Sequence, residues 1–586
     1  MPDSGQADKG GRVLDLLLQG GLVADGSGAP AERRDVGVVD GRIVEVGPGR
    51  DEAERTIDAD GLVVAPGFID LHSHYDAQLF WDPTLSPSPL HGVTTAVSGN
   101  CGLTLAPAAP GDRDFLTRLL SRVEAIPVEA LLAGVTYEWE SFAELLDVIE
   151  GKPLALNIGF MVGHSAIRRA VMGPAASTDK ANPEQIEAMR VVLGAALSAG
   201  GFGFSTANVA TQVDGDGRPT PPNLADPSEF IALAAECGLH PGTSIEFIPG
   251  SFLSGFSDDD IELMADMSAA ANRHLNWNTP LINSAVPDLY QRQLRATDVA
   301  RARGGWVVPM FMPQNGPLRH DFKEAYVLRA VPGWAELFAL EGEARVKALS
   351  DPATRAHLRA SVDAETQGLA VVVRNWVTYE VNDIADPALA HLLGRNIGDL
   401  AAERGVSPFD AMLDIVVEAK LDVGFVRYQY PGDEWTNSAR LDVLKDPRVV
   451  LGASDAGAHG EMMVGADFPT RCIGELVRDR QIFSLEEMIH QFCDVPARLY
   501  GLKDRGRIEP GGWADLVVFD LDRIGAGPMK TVYDLPAGAA RLTTEPSGVE
   551  FVLTRGTEVV RHGKFTGDLS GGLLRSGRDT VTVLAR

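Results

Sequence analysis

Eight short apolar runs, each followed by a stretch of helical character, constrain this chain more than any other feature. They are Leu62–Leu71, Thr94–Ser98, Leu154–Val162, Gly201–Ser205, Leu239–Glu246, Leu275–Thr279, Trp306–Met312 and Val449–Ser454. Mostly apolar runs of this length read as strands covered on both faces, and strands that alternate with helices form parallel sheets. Eight such units predict an α/β protein, a (β/α)8 TIM-like barrel. The intervening stretches agree: Pro183–Ala199 has apolar residues at helical spacing behind an Asn-Pro start. Two more strand-like runs, Leu369–Val373 and Val423–Val426, leave the count open. Residues His320–Ser361 fit a helical insertion or lid better than the repeat.

The two ends have a different texture. Leu14–Leu18 is apolar, and Val36–Val39 and Ile43–Val46 flank Asp40-Gly41, a dipeptide suited to a tight hairpin turn. Ala514–Asp520, Phe551–Leu553 and Val559–Val560, the last two around Arg555-Gly556, repeat that pattern. Neither end makes a domain alone. Residues 11–65 with 504–586 are therefore expected to form one small β-sandwich, and 66–503 the barrel domain with a helical insertion near 320–361. A chain of 586 residues accommodates both.

Composition removes several function classes. The net charge is −29, with 81 acidic against 52 basic residues, which repels phosphate backbones and anionic lipid. No nucleic-acid and no membrane partner is expected. Four cysteines in a chain this long are not a disulfide framework. Met1–Arg12 is polar and Gly-rich, without the apolar core of a signal peptide, and no apolar run is long enough to cross a bilayer. The cytoplasm is the expected location, and a homo-oligomer is compatible with these features.

The chemistry is concentrated in three segments. The first strand-like run ends in Pro66-Gly67-Phe68-Ile69-Asp70-Leu71-His72-Ser73-His74. Side chains alternate along a strand, so His72 and His74 point the same way, into the mouth of a barrel at its C-terminal face. Neutral imidazoles so placed suit Zn²⁺ and related ions. The last run is followed by Ser454-Asp455-Ala456-Gly457-Ala458-His459. Asp455 there is either a cap or turn residue or, given the paired histidines, a metal ligand that also passes a proton. In Gly99-Asn100-Cys101-Gly102, Cys101 is either a small core residue or a thiolate beside the metal.

These segments resemble the amidohydrolase superfamily. Gly99–Gly102, Gly163-His164-Ser165-Ala166-Ile167-Arg168, Gly452–Asp455, Gly506–Asp520 and the terminal Val583-Leu584-Ala585-Arg586 resemble, within it, the D-aminoacylases (N-acyl-D-amino-acid deacylases). The resemblance runs from about Leu14 to the C-terminus and is patchy between Phe204 and Pro408. It implies one metal held by His72, His74 and Asp455, with Asp455 also as general base and acid, and Cys101 as a ligand of a second metal beside two further histidines. It also implies a small-molecule amide substrate. Two histidines that complete a second metal site in that family have no match: the chain reads Gly242–Glu246 and Leu275–Pro280 at those places. His240 and His274 sit at the wrong ends of their strands. Glu246 is either a replacement ligand or a salt-bridged strand-end residue. One firmly bound zinc is therefore expected, with a second ion weak. The substrate-binding residues are unknown, because the family's basic group and tyrosine near the sixth and seventh strands give way to apolar Pro280-Leu281 and Pro309–Met312. His164 and Arg168 are read as substrate anchors or as structural hydrogen-bonding groups, and the role of His459 is open. Two alternatives stay beside the deacylase reading. One is an amidohydrolase acting on a cyclic amide, a formyl or carbamoyl amide, or a small peptide; the other is a non-catalytic barrel scaffold.

Overall fold

The computed structural model describes residues 13–48, 53–210, 212–284, 286–323, 326–329, 331, 333–364, 373–428 and 432–585. Eight of its strand segments follow one another as the runs above do. They are β1 (Phe68–Asp70, continued by His72–Ser73), β2 (Val93–Ser98), β3 (Asn157–Phe160, continued by Val162–Gly163), β4 (Gly203–Ala207), β5 (Ser244–Ile248), β6 (His274–Asn278), β7 (Trp306–Phe311) and β8 (Val450–Leu451, continued by Ala453–Ala456). Each pairs in parallel with the next. The second half of β8 pairs in parallel with His72–Ser73, so the ladder returns to its first strand. The strands that change partners do so at single-residue breaks, Leu71, Met161 and Gly452. Inside, Ile69, Val97, Met310 and Ala453, from four different strands, share one apolar cluster.

Both ends of the chain meet in one nine-stranded sheet. The seam is the antiparallel pairing of Val63–Pro66 with Leu516–Phe519. The hairpin at Asp40-Gly41 forms with φ of 50° and 72°, and Arg555-Gly556 turns with 46° and 78°. These are left-handed conformations that favour Asp, Asn and Gly. Leu16, Leu18, Val36, Ile43 and Leu516 are buried together on this sheet. The run Leu62–Leu71 is thus two strands, one in each unit, divided at Gly67. A Cβ on Gly67 would lie 2.1 Å from Thr94 Oγ1, so the chain passes too close to β2 for any side chain there.

Between β7 and β8 the chain builds a further unit. Pro317–Asp321, Glu380–Ile384 and Val423–Tyr428 form an antiparallel sheet, with helices such as Gly342–Ser350, Pro352–Ala364 and Pro408–Glu418 against it. Phe322, Trp334, Trp376, Phe409 and Phe425 belong to a core of its own. Val423–Val426 is therefore a strand of this insertion and not of the ring. Leu369–Val373 lies, but for Val373, outside the described residues.

His164 and Arg168 belong to the scaffold. The helix His164–Met172 starts as β3 ends. His164 Nε2 and Arg168 Nε lie 2.9 and 2.8 Å from the same Glu229 oxygen, and Arg168 donates to the carbonyls of Ala176 and Pro221, each at 2.9 Å. All three side chains are essentially inaccessible to water. Arg168→Met strands a buried carboxylate. It is expected to lower unfolding free energy by about 3–5 kcal/mol, the cost of breaking a buried pair. Urea denaturation measures this, and a loss under about 1 kcal/mol would contradict the structural role.

Candidate metal centre

The C-terminal ends of β1, β2, β5 and β8 converge. His72 lies on β1 and His74 two residues beyond, their ring centroids 5.2 Å apart. Both Nε2 atoms turn toward Asp455 Oδ1, at 3.5 Å from His72 and 3.1 Å from His74. Cys101 Sγ is 3.5 Å from His72 Nε2. The Cys101 amide donates to Glu246 Oε2 at 2.9 Å, so the end of β5 faces this group too.

Local sequence explains the registration. Asp70 of the P-G-F-I-D segment is buried and accepts from the Ser454 hydroxyl and, at 3.2 Å, from the Ser454 amide. That clamp ties β1 to β8 and sets His72 beside Asp455. Asn100 donates to the carbonyls of Ser73 at 3.1 Å and Val97 at 3.0 Å, tying the G-N-C-G turn to β1. Gly457 has φ of 94°, and a Cβ there would lie 2.5 Å from the His74 carbonyl oxygen. Cys101, Asp455 and His459 themselves hold φ of 56°, 60° and 49°. Non-glycine residues in this region are sparse and tend to mark sites where the surroundings hold them in place.

A second group of donors lies beside the first. Glu124 ends the helix α1 (Arg113–Glu124) and is 3% exposed. Its Oε2 lies 3.6 Å from His74 Nε2 and 3.6 Å from His459 Nε2. His459 Nε2 is also 3.7 Å from Asp455 Oδ2. Two sets of side chains have donor atoms close enough for one ion: His72, His74 and Cys101, and His74, Glu124 and Asp455.

The electrostatics call for a cation. Burial pulls the His72 imidazole down to about 3, which keeps it neutral. Burial also opposes charge on His74, but Glu124 and Asp455 outweigh it and push His74 up to about 10. Burial raises Glu246 to about 8. Burial and the surrounding carboxylates, Glu246 foremost, drive the Cys101 thiol well above its ordinary value. His72 Nδ1, both nitrogens of His74 and Glu246 Oε1 are buried with no hydrogen-bond partner. Carboxylates crowded around imidazole nitrogens fit a divalent ion, whose charge would keep His72 neutral, oppose the upward shifts of His74, Glu246 and Cys101, and deprotonate a coordinating thiol.

Of the residues singled out from sequence, His72, His74, Cys101 and Asp455 are together, and Glu246 adjoins them. His240 and His274 are not. His274 is buried between the rings of Trp306 and Tyr500, with centroids at 5.7 and 5.2 Å, and His240 Nε2 sits 3.4 Å from Glu236. Asn276 bonds to Tyr500 Oη at 2.8 Å and to the Ile245 carbonyl. Glu124 escaped sequence reasoning: a lone glutamate at the end of an amphipathic helix carries no motif.

A small apolar pocket opens from His74, lined by Trp81, Ile126, Met463, Val464 and Leu542. A cavity of about 820 Å³ shares Ile126 and Leu542 with it and is bordered by basic Arg118, Arg319 and Lys323 and by acidic Glu129, Asp383 and Asp422.

A family model described as "Amidohydrolase family" matches residues 55–566. The chain is 29% identical to the D-aminoacylase of Alcaligenes xylosoxydans xylosoxydans, over 96% of this chain and 97% of that protein. It is 34% identical to the N-acyl-D-aspartate deacylase of the same organism, over 89% and 88%. In fold it is similar to the N-acyl-D-glutamate deacylase of Bordetella bronchiseptica, solved with zinc and a phosphonate inhibitor. That TM-score is 0.62, with 24% identity over 96% of this chain and 100% of that one.

Proposed function

The chain belongs to the amidohydrolase family, and from that premise we propose that it is a deacylase of N-acyl-D-amino acids. It is a metal-dependent hydrolase of carbon–nitrogen bonds other than ordinary peptide bonds. The observation that carries the proposal is the convergence of His72, His74, Cys101 and Asp455 at one end of the strand ring. We read the ring as a (β/α)8 barrel of residues 66–503. The shared sheet, with the segments around it, is then a β-sandwich domain of residues 11–65 and 504–586.

One zinc ion is the resident cofactor in this reading, held by His72, His74 and Asp455 with Cys101 as the thiolate. Thiolate and imidazole together favour zinc over magnesium or calcium. When bound, the ion polarises a carbonyl and makes water acidic enough to attack at neutral pH. The chain does the rest. Asp455, on a strand end held by the Asp70–Ser454 clamp, accepts the proton of the attacking water and returns it to the leaving nitrogen. Burial of His72 and His74 excludes bulk water from the reacting atoms.

The pocket beside the site favours an amide that carries an apolar group. The apolar pocket beside His74 suits an acyl chain or an apolar side chain. A screen of metal-replete protein against N-acetyl-D- and N-acetyl-L-amino acids, hydantoins and dipeptides tests the reading by amine release. Cleavage of N-acetyl-D-amino acids well above the other classes is expected. Preference for a cyclic amide or a peptide would replace the deacylase reading, and no cleavage of any class would favour a non-catalytic barrel.

A further inference from the structure

We propose that Glu124 and His459, with Asp455 shared, form a second and weaker divalent-cation position on the side of Asp455 away from Cys101. The motif-bearing residues do not predict it. The two later histidines of the resembled family are absent here, yet this chain places a carboxylate and an imidazole on the opposite flank of the same aspartate.

Three observations carry the proposal. The first is spacing. Tetrahedral ligands at about 2.0–2.1 Å from an ion stand about 3.3–3.4 Å apart. Glu124 Oε2 and His459 Nε2 are 3.6 Å apart, and His459 Nε2 and Asp455 Oδ2 are 3.7 Å apart. Both edges lie a few tenths of an ångström above ligand spacing, and Glu124 and Asp455 offer oxygens within 4.8 Å of each other.

The second is that the aspartate can serve both ions. Its Oδ1 faces His72 and His74, while its Oδ2 faces His459. One carboxylate bridging two ions leaves the single lone pair of His74 Nε2 to the first. Glu124, His459 and Asp455 then supply three protein ligands and leave a place for water, a complement seen at open zinc sites.

The third is preorganisation at a cost. Glu124 is buried at the end of α1, and among the described residues its carboxylate accepts no hydrogen bond; the imidazoles at 3.6 Å are its nearest charged partners. The Glu124 carbonyl accepts the His459 amide at 2.7 Å, which holds the two residues together, and His459 keeps a left-handed backbone to reach it. A buried carboxylate with no hydrogen bond is expensive, and an ion is what removes that expense. Carboxylate, carboxylate and imidazole suit manganese, cobalt or zinc.

The test uses the full chain, freed of metal and titrated with Zn²⁺ and separately with Mn²⁺ by calorimetry and equilibrium dialysis. The wild type is expected to bind one zinc tightly and a second ion at least about a hundredfold more weakly. In Glu124→Gln and His459→Asn the weak phase should drop at least tenfold in affinity while the tight phase persists. Loss of the tight phase in the wild type would instead overturn the single-zinc reading above, so the two failures are separable. Should a variant not fold, crystals of the wild type soaked in Mn²⁺ decide the matter. An anomalous peak among Glu124, Asp455 and His459 is expected, and a peak only beside Cys101 would overturn the proposal. So would a weak phase unchanged in Glu124→Gln.

Discussion

Asp455→Asn is expected to lower turnover by roughly 10²–10⁴-fold, the worth of a positioned proton acceptor and donor. Asparagine keeps the shape of the side chain and its reach toward His72 and His74, but it cannot take a proton from water. Burial works against ionising Asp455, yet His74, His459 and His72 outweigh it and hold the carboxyl below the ordinary range, so the wild-type group is available as a carboxylate. Steady-state kinetics should show the loss in kcat, with near-native circular dichroism. Turnover within a few-fold of the wild type would remove Asp455 from the proton-transfer role.

His74→Ala should have the broadest effect of any single change. This imidazole faces Asp455 at 3.1 Å and Glu124 at 3.6 Å, so both donor groups include it. Its removal leaves the zinc with one nitrogen ligand, His72, in place of two, and leaves Glu124 and Asp455 with one cationic partner fewer. Elemental analysis after dialysis is expected to fall from about one zinc per chain to near none, with turnover falling by at least about the same factor as for Asp455→Asn. Retention of stoichiometric zinc with normal turnover would mean that the ion is held elsewhere.

How much of this was legible in the sequence follows from the range over which each signal acts. Each of the eight strand-like runs contributed a strand to the ring, Leu62–Leu71 only by its second half, because burial on both faces leaves a local trace, a short unbroken apolar run. His72 and His74 were legible because strand alternation puts i and i+2 on one side whatever the rest of the chain does. Asp455 and Cys101 gained meaning only beside that pair, each being the polar or reactive residue at a strand's end. Glu124 was not legible: its place beside His459 depends on how the long connection after β2 folds back, and α1 shows only an amphipathic face. The insertion was read from its helices alone. Its strands pair antiparallel across more than a hundred positions, from Pro317 to Tyr428, and no local period reports such pairing. His164 and Arg168 had two open readings, and only the position of Glu229 decided between them.

The central claim, hydrolysis by one zinc held at the ends of β1, β2 and β8, is tested most directly by restoring metal to the stripped protein in measured steps. Turnover of an N-acetyl-D-amino acid is followed at each addition of Zn²⁺. No turnover is expected without metal, followed by a linear rise that breaks sharply at one equivalent per chain. Turnover by the metal-free protein, or a rise that begins only after the first equivalent is bound, would contradict it.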